Sequence, residues 1–283
     1  MHDASGFRAP LVERGPACAG ATDIGRVRAR NEDAYWISDD GSVLAVADGL
    51  GGLPAGDVAS ALAVAAIAEW FEQRRSSERA PRRGDAGAHR VVAGAQSGSA
   101  ADAQSGSADQ LEQQARDAAA HAQEIIMAAS HGTPSLHGMA TTLVLVVLCD
   151  SHASVLHIGD SRAALWRDGA FVTMTIDQNR AGDLLREGVI TREQARVHPS
   201  RNLVREVVGR PDGYEAECQT WEIRRGDILV ALTDGVSEAL SEHRLARILE
   251  TAPDAAAAAS SIVELAAIEG GHDNATAVVR YVT

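Results

Sequence analysis

Apolar runs that end in an acidic residue beside a glycine recur along this chain of 283 residues. The pattern first appears in AVADGLGG, where the apolar run 44–47 is followed by Asp48 and a glycine. It returns at Asp160 in GDSR, at Asp234 in LTDG and, just before another apolar run, at Asp273 in HDNA. One Asp-Gly pair on its own is a common turn. Several acids at strand ends instead indicate carboxylates that meet at one rim of a β-sandwich.

A fifth acidic site, Glu32 and Asp33 in the segment NEDA, opens an early strand-like run. Converging carboxylates repel one another and raise one another's pKa values unless a positive charge lies among them. No lysine lies near these motifs, so a bound divalent cation is the natural counter-charge. Oxygen ligands without histidine or cysteine favour Mg²⁺ or Mn²⁺ over Zn²⁺. Gly49 has no side chain, so its carbonyl could approach an ion that Asp48 already holds.

The order of the predicted elements indicates an α+β fold. Strands are predicted near 17–22, 33–38, 42–47, 140–149, 153–158, 162–167, 170–174, 214–223, 227–232 and 275–282. Helices are predicted near 55–75, 109–130, 178–197, 238–250 and 254–269. The hairpin-like spacing of the strands argues against a regular βαβ repeat. We therefore expect a central antiparallel β-sandwich flanked by helices.

Composition divides the chain into a single domain with two irregular parts. Residues 1–16 show no periodicity and are expected to be flexible. The segment 76–108 is rich in glycine, serine and alanine and contains AQSGSA twice. Such a composition buries too little apolar surface to offset chain entropy, which predicts a flexible insert. The single domain is expected to span 17–283.

Charge and apolar patterning exclude several classes of protein. The net charge of −13 and the lack of a basic patch argue against nucleic-acid binding. The first ten residues lack the pattern of a signal peptide, and the longest apolar run is far shorter than the ~20 residues of a membrane helix. Three cysteines without metal-ligand spacing predict no disulfide framework. These features favour a reducing, cytoplasmic location away from membranes.

Seven motifs, in order, resemble those of the metal-dependent type 2C (PPM) Ser/Thr protein phosphatases of bacteria. They are DIGRVRARNEDA, VADGLGGLPAGDVAS, GMATT, HIGDSRAALWRDG, GVITREQARVHPSRN, GDILVALTDG and GGHDNATAVV, and they extend over about 20–283. The resemblance implies an α-β-β-α sandwich and a hydrolase that removes phosphate from phosphoserine and phosphothreonine. It further implies a signalling role on phosphoprotein substrates of a Ser/Thr kinase, and we expect a monomer.

The resemblance also implies a metal centre with two Mn²⁺ or Mg²⁺ ions and a weaker third. Asp48 would bridge the first two ions, with Gly49 contributing its carbonyl. The other implied ligands are Glu32, Asp33, Asp160, Asp234 and Asp273, of which Asp160 would serve the third ion.

The resemblance makes Arg28, Asp48 and Asp234 the catalytic residues, with Arg28 gripping the substrate phosphate. Residues 178–210 correspond to the flap beside the active site. Leu50 stands where eukaryotic relatives carry a histidine that is a proposed proton donor, so the sequence identifies no general acid. Gln178 likewise replaces a histidine that many relatives have.

Two other interpretations stay open at this stage. A phosphatase-like binding or regulatory module could keep the fold without turnover, although such a loss usually deletes one of the metal-binding acids. Cys218 and Arg224 have the Cys-x5-Arg spacing of cysteine phosphatases. However, the intervening residues include no glycine to wrap phosphate, and Glu217 and Glu222 would raise the pKa of the thiol.

Overall fold

In the computed structural model, which describes residues 11–15, 17–53, 55–79 and 100–283, the strands form two antiparallel sheets. The strands are β1 (Leu11–Glu13), β2 (Cys18–Asp23), β3 (Asp33–Ile37), β4 (Val43–Asp48), β5 (Leu143–Leu148), β6 (His152–Ile158), β7 (Arg162–Arg167), β8 (Ala170–Met174), β9 (Glu217–Glu222), β10 (Ile228–Leu232) and β11 (Ala275–Tyr281). The six-stranded sheet has the order β1-β2-β11-β10-β7-β8, and the five-stranded sheet has the order β3-β4-β5-β6-β9.

Helices cover the outer face of each sheet. They are α1 (Gly56–Arg79), α2 (Ala100–Gly132), α3 (Arg180–Arg186), α4 (Arg192–Arg196), α5 (Asp234–Ala239), α6 (Glu242–Thr251) and α7 (Ala255–Glu269). The first two helices pack on the five-stranded sheet, and α6 and α7 pack on the six-stranded sheet. A third apolar cluster fills the space between the sheets. This layering confirms the predicted α+β fold with a central antiparallel β-sandwich.

The β4 strand shows why an acid appears at the end of a long apolar run. Leu44 and Val46 point into the space between the sheets, and Ala45 and Ala47 point toward α1 and α2. A strand covered on both faces is apolar at every position. Asp48 is the first residue beyond that double cover, so the run ends where the strand reaches the rim of the sandwich.

The first two helices, α1 and α2, are longer than the sequence pattern predicted. Residues 76–79 belong to α1 and residues 100–108 belong to α2, whereas the predicted insert extended over 76–108. The prediction depended on the scarcity of apolar residues, but an exposed helical turn needs none. In α1, for example, Gln73 donates to Glu69 at 2.8 Å, a pairing of residues four apart. Residues 80–99 lie outside the described residues.

Two further boundaries differ from the prediction. Residues 11–13, placed in a segment without structure, form β1 and pair with β2. Residues 1–10 and 16 lie outside the described residues. The helix predicted at 238–250 is two helices, because α5 already begins at Asp234 and Ser241 caps α6. Asp234 therefore stands at the first turn of a helix, directly after β10 and one connecting residue.

The predicted flap, residues 178–210, contains α3 and α4. Asn179 caps α3 by accepting a hydrogen bond from the Gly182 backbone. Thr191 and Gln194 form a capping box at the start of α4. The flap is tied to the sandwich at Glu238, with which the Arg201 guanidinium forms an ion pair at 2.9 Å.

Candidate active site

The acidic residues identified in the sequence come together at one end of the sandwich. Asp33 and Asp48 are directly opposite each other where β3 pairs with β4. Asp234 opens α5, and Asp273 lies two residues before β11. Asp160 follows β6 and shares a small cavity with Asp234. Five strand ends from two sheets thus bring five carboxylates to one rim.

Hydrogen bonds fix the backbone of Asp48, whereas its side chain is buried among other acidic groups. Its carbonyl oxygen accepts hydrogen bonds from the Thr142 amide at 2.9 Å and the Thr141 hydroxyl at 2.8 Å. Burial, followed by repulsion from Asp33 and Asp234, raises the pKa of Asp48 well above its usual value. The carboxyl groups of Asp48 and Asp234 each affect the pKa of the other.

Asp33 uses its two carboxylate oxygens differently. Oδ2 accepts hydrogen bonds from Thr276 at 2.6 Å and from Thr233 at 2.8 Å. Oδ1 is buried and has no hydrogen-bond partner. Burial, together with a smaller contribution from the neighbouring Asp234, raises the pKa of Asp33 to about 7 despite the two hydroxyl donors.

Asp234 presents a second buried carboxylate oxygen without a partner, its Oδ1. Burial and repulsion from Asp273 raise the pKa of Asp234 to about 6. Buried polar atoms in native proteins are normally paired, so unpaired carboxylate oxygens indicate a missing positive partner. All-oxygen donors of this kind fit Mg²⁺ or Mn²⁺.

Side chains alone do not complete a cage for such an ion. Within the described part of the chain, no three acidic, histidine or cysteine side chains are placed to hold a metal ion together. Backbone carbonyl oxygens and water would have to supply the remaining ligands, which is usual for Mg²⁺.

The close approach of Gly49 and Gly56 brings one such backbone carbonyl, that of Gly49, near the Glu32 carboxylate. The Gly49 amide donates to the Glu32 carbonyl at 2.9 Å. A Cβ atom on Gly56, the first residue of α1, would lie 3.1 Å from Glu32 Oε1 and 3.2 Å from the Gly49 carbonyl oxygen. The Glu32 carboxylate and the Gly49 carbonyl therefore face the same small space, which stays open because position 56 has no side chain.

Arg28 lies against the acids. Its Nη2 donates to Asp273 Oδ2 at 2.7 Å, and its Nη1 is 3.4 Å from Glu32 Oε2. The hydrogen bond to Asp273 is the main cause that raises the pKa of Arg28. The Arg28 side chain is about one-third exposed, so it can be reached from solvent.

Asp160 is buried beside the flap. Its pKa is raised well above the usual value, by burial first and then by Asp234 and Asp177. The neighbouring Arg162 guanidinium forms two hydrogen bonds to Asp177, at 2.6 and 2.8 Å. The adjoining Gly159 is fixed on both sides by Gln178, whose side chain accepts from the Gly159 amide at 2.7 Å.

Several residues that order the site were missed in the sequence. Asn274 accepts from the Glu32 amide at 2.8 Å and donates to the carbonyls of Ile24 and Arg30, so it shapes the loop that carries Arg28. The threonines that contact Asp33 were also missed. A signal was present, because a small polar residue adjoins the acid in TDG and DNAT, but one sequence cannot distinguish it from an ordinary turn.

The remaining chemically interesting side chains lie elsewhere. His157 is buried on β6, and burial lowers its pKa to about 4. Burial raises the pKa of the Cys218 thiol to about 11 on the edge strand β9. A thiol that stays protonated is a poor nucleophile, so the structure gives the cysteine-phosphatase interpretation no support.

Comparison with known proteins agrees with this geometry. The profile of the family Protein phosphatase 2C matches residues 25–267. The serine/threonine protein phosphatase PstP of Mycobacterium tuberculosis is 34% identical over 264 residues, which are 92% of this chain and 44% of PstP. The serine/threonine phosphatase stp of Listeria monocytogenes is 26% identical over 261 residues, which are 91% of this chain and 92% of stp.

Solved structures extend the likeness to three dimensions. The crystal structure of the PstP catalytic domain in complex with two manganese ions has a TM-score of 0.71 and 30% identity, and the match covers 96% of this chain and 97% of that one. This chain spans less than half of the length of full PstP. The family profile matches most of the sequence and the fold matches that structure, so the chain belongs to the protein phosphatase 2C family.

Proposed function

We propose that the chain is a metal-dependent protein phosphatase that hydrolyses phosphoserine and phosphothreonine. The observation that carries this proposal is the pair of buried, unpartnered carboxylate oxygens on Asp33 and Asp234, among acids whose pKa values burial raises. Structural acids are normally paired, whereas this rim is arranged to receive positive charge. The family membership and the manganese-bound PstP relative support the same reaction.

The residues divide the work of holding the ions and orienting the substrate. The groups that would hold two Mn²⁺ or Mg²⁺ ions are Glu32, Asp33, Asp48, Gly49, Asp234 and Asp273. When bound, such ions supply an activated water and neutralise the charge that develops on phosphate. Arg28, with a partly exposed side chain, would orient the phosphate and stabilise that charge. Leu50 has no proton to give to the leaving group, so protonation must come from elsewhere.

The direct test is hydrolysis of p-nitrophenyl phosphate and of a phosphothreonine peptide, with Mn²⁺ and after EDTA treatment. We expect turnover with Mn²⁺ and none after chelation. Asp48→Asn and Asp234→Asn should lose turnover while the protein stays folded by circular dichroism. Turnover that persists in EDTA or in either variant would contradict the proposal.

A matched control separates the site from buried acids in general. Asp227 is buried and bonded to Arg167 at 2.6 Å, away from the rim. Asp227→Asn should retain Mn²⁺-dependent turnover, even if the protein becomes less stable. A folded wild-type protein that binds Mn²⁺ and a phosphopeptide without hydrolysing it would instead identify a binding or regulatory module.

We further propose that the substrates are phosphoproteins of a Ser/Thr kinase and that the chain acts in signalling as a cytoplasmic monomer. Among the described residues, no helix is both long and apolar enough for a membrane span. Among the same residues, the large hydrophobic side chains that are exposed are aliphatic and come from separate segments, with no two adjacent in sequence. This scatter supports the proposed monomer. The acidic net charge of −13 argues against a nucleic-acid partner.

A further inference from the structure

Three threonines form a row across the rim end of the six-stranded sheet. Thr22 in β2 is the direct cross-strand partner of Thr276 in β11. Thr233 follows β10, the strand on the other side of β11, and its hydroxyl oxygen accepts the Thr276 amide at 2.9 Å. All three side chains are buried. Buried hydroxyl groups need partners, so the direction of their hydrogen bonds can be worked out.

The row faces Asp33, which belongs to the opposite sheet. Thr276 and Thr233 both donate to Asp33 Oδ2, at 2.6 and 2.8 Å. A hydroxyl has one hydrogen, so Thr276 can only accept in its 2.7 Å contact with Thr22. Thr22 is therefore the donor there, and its own oxygen accepts from the Asn31 amide group at 2.8 Å.

Every hydroxyl in the row thus points one way, toward Asp33. Two donors on one oxygen stabilise the charged form of a carboxylate that burial otherwise disfavours. They also fix the carboxylate plane, so that Oδ2 is occupied within the protein while Oδ1 stays buried and unpartnered. The orientation of this acid is set by the facing sheet rather than by its own strand.

We propose that the row Thr22, Thr276 and Thr233 positions Asp33 for a divalent cation by holding Oδ2 and leaving Oδ1 for the ion or its water. The inference rests on the proposed function for the identity of the ion, and it adds three positioning residues to the site. Outer partners of this kind commonly change metal affinity by about 10–100-fold when they are lost.

The test is Mn²⁺ titration of the metal-free protein by calorimetry, with steady-state kinetics on p-nitrophenyl phosphate in parallel. Thr276→Val removes one hydroxyl with little change in shape, and we expect the Kd for Mn²⁺ to rise about 10–100-fold. Thr276→Ser keeps the donor and should bind Mn²⁺ almost as the wild type does. Thr22→Val acts one hydrogen bond further away and should have a smaller effect in the same direction.

Thr175→Val is the matched control, because Thr175 is equally buried and its hydroxyl accepts from the Ala163 backbone amide at 3.1 Å. It should lose thermal stability and keep the wild-type Kd. Wild-type Mn²⁺ affinity in Thr276→Val, or an equal loss in Thr175→Val, would overturn the inference. If Thr276→Val fails to fold, Thr22→Val decides, and an unchanged Kd there would overturn it. A wild type that binds Mn²⁺ without turnover would refute the proposed function, while the calorimetric comparison still decides the role of the threonines.

Discussion

The close approach of α1 to the acidic loop leads to a prediction about Gly56. In Gly56→Ala the new Cβ atom would lie 3.0 Å from the Gly49 carbonyl carbon and 3.1 Å from Glu32 Oε1. Both contacts are tighter than ordinary van der Waals contact, so either the Gly49 carbonyl or the Glu32 carboxylate has to shift by a few tenths of an ångström. These are the two groups that would share an ion at this point.

The effect of Gly56→Ala on the free energy of unfolding is the balance of two opposing contributions. Extra volume in a packed site costs about 1–3 kcal/mol. Replacing a helical glycine with alanine returns at most about 1 kcal/mol, and less at the first residue of α1. Displacing the Gly49 carbonyl or the Glu32 carboxylate should raise the Kd for Mn²⁺ by at least about tenfold, which corresponds to about 1.4 kcal/mol. The net folding cost is then about 0–3 kcal/mol, and the loss of Mn²⁺ affinity is a separate effect that the titration measures.

The assay is urea unfolding in EDTA together with calorimetric titration of Mn²⁺. Gly132→Ala, at the end of α2 where an added Cβ meets no atom within 4 Å, is the control and should change neither property strongly. Gly49→Ala should be far more damaging, because its Cβ would collide with the Gly56 carbonyl oxygen. Unchanged Mn²⁺ affinity in Gly56→Ala would refute the idea that Gly49 and Glu32 share an ion.

Four other outcomes are expected. Arg28→Ala should raise the KM for phosphopeptides more than it weakens Mn²⁺ binding, as kinetics with a metal titration would show. Asp160→Ala should keep two tightly bound Mn²⁺ ions by calorimetry yet lose turnover, more on a phosphopeptide than on p-nitrophenyl phosphate, which needs little leaving-group protonation. Gln178→Ala removes the side-chain hydrogen bond to the Gly159 amide, which holds the loop before Asp160. It should also lower kcat, by less than Asp160→Ala does. In EDTA, the unfolding free energy measured in urea should fall as pH rises to about 7, because the raised pKa values of Asp33 (about 7) and Asp234 (about 6) mean that the folded state binds more protons.

The sequence was most informative where burial is complete. A strand covered on both faces must be apolar throughout, so the first polar residue marks the rim, and this is why Asp48 and Asp160 could be identified by position. The scarcity of apolar residues was misleading at the end of α1, because its last turns are largely exposed and need no apolar residue. Asp234 was also identified at the rim, but the next helix was predicted to begin at 238, because an Asp-Gly pair after a strand is typical of a turn, whereas here it begins α5.

Contacts between distant segments were beyond the reach of a single sequence. Thr22 and Thr276 are 254 positions apart and are joined by a 2.7 Å hydrogen bond. Arg28 and Asp273 are 245 positions apart. Neither pair has a local periodicity, because each exists only when β2, β11 and the loop before β3 are folded together. Local pattern therefore predicted the acids and not the groups that orient them.

The balance of charge at the rim explains how Arg28 can contact carboxylates in this structure and still serve a phosphate. Five acids of the proposed two-ion site, Glu32, Asp33, Asp48, Asp234 and Asp273, outnumber this one guanidinium by four charges, which two divalent cations would balance. Arg28 bonds to Asp273 and approaches Glu32, both proposed to hold those cations. A carboxylate that shares its charge with a cation attracts a guanidinium less strongly. Filling the site would thus weaken the hold on Arg28 and free its donors for a phosphate arriving from the exposed side.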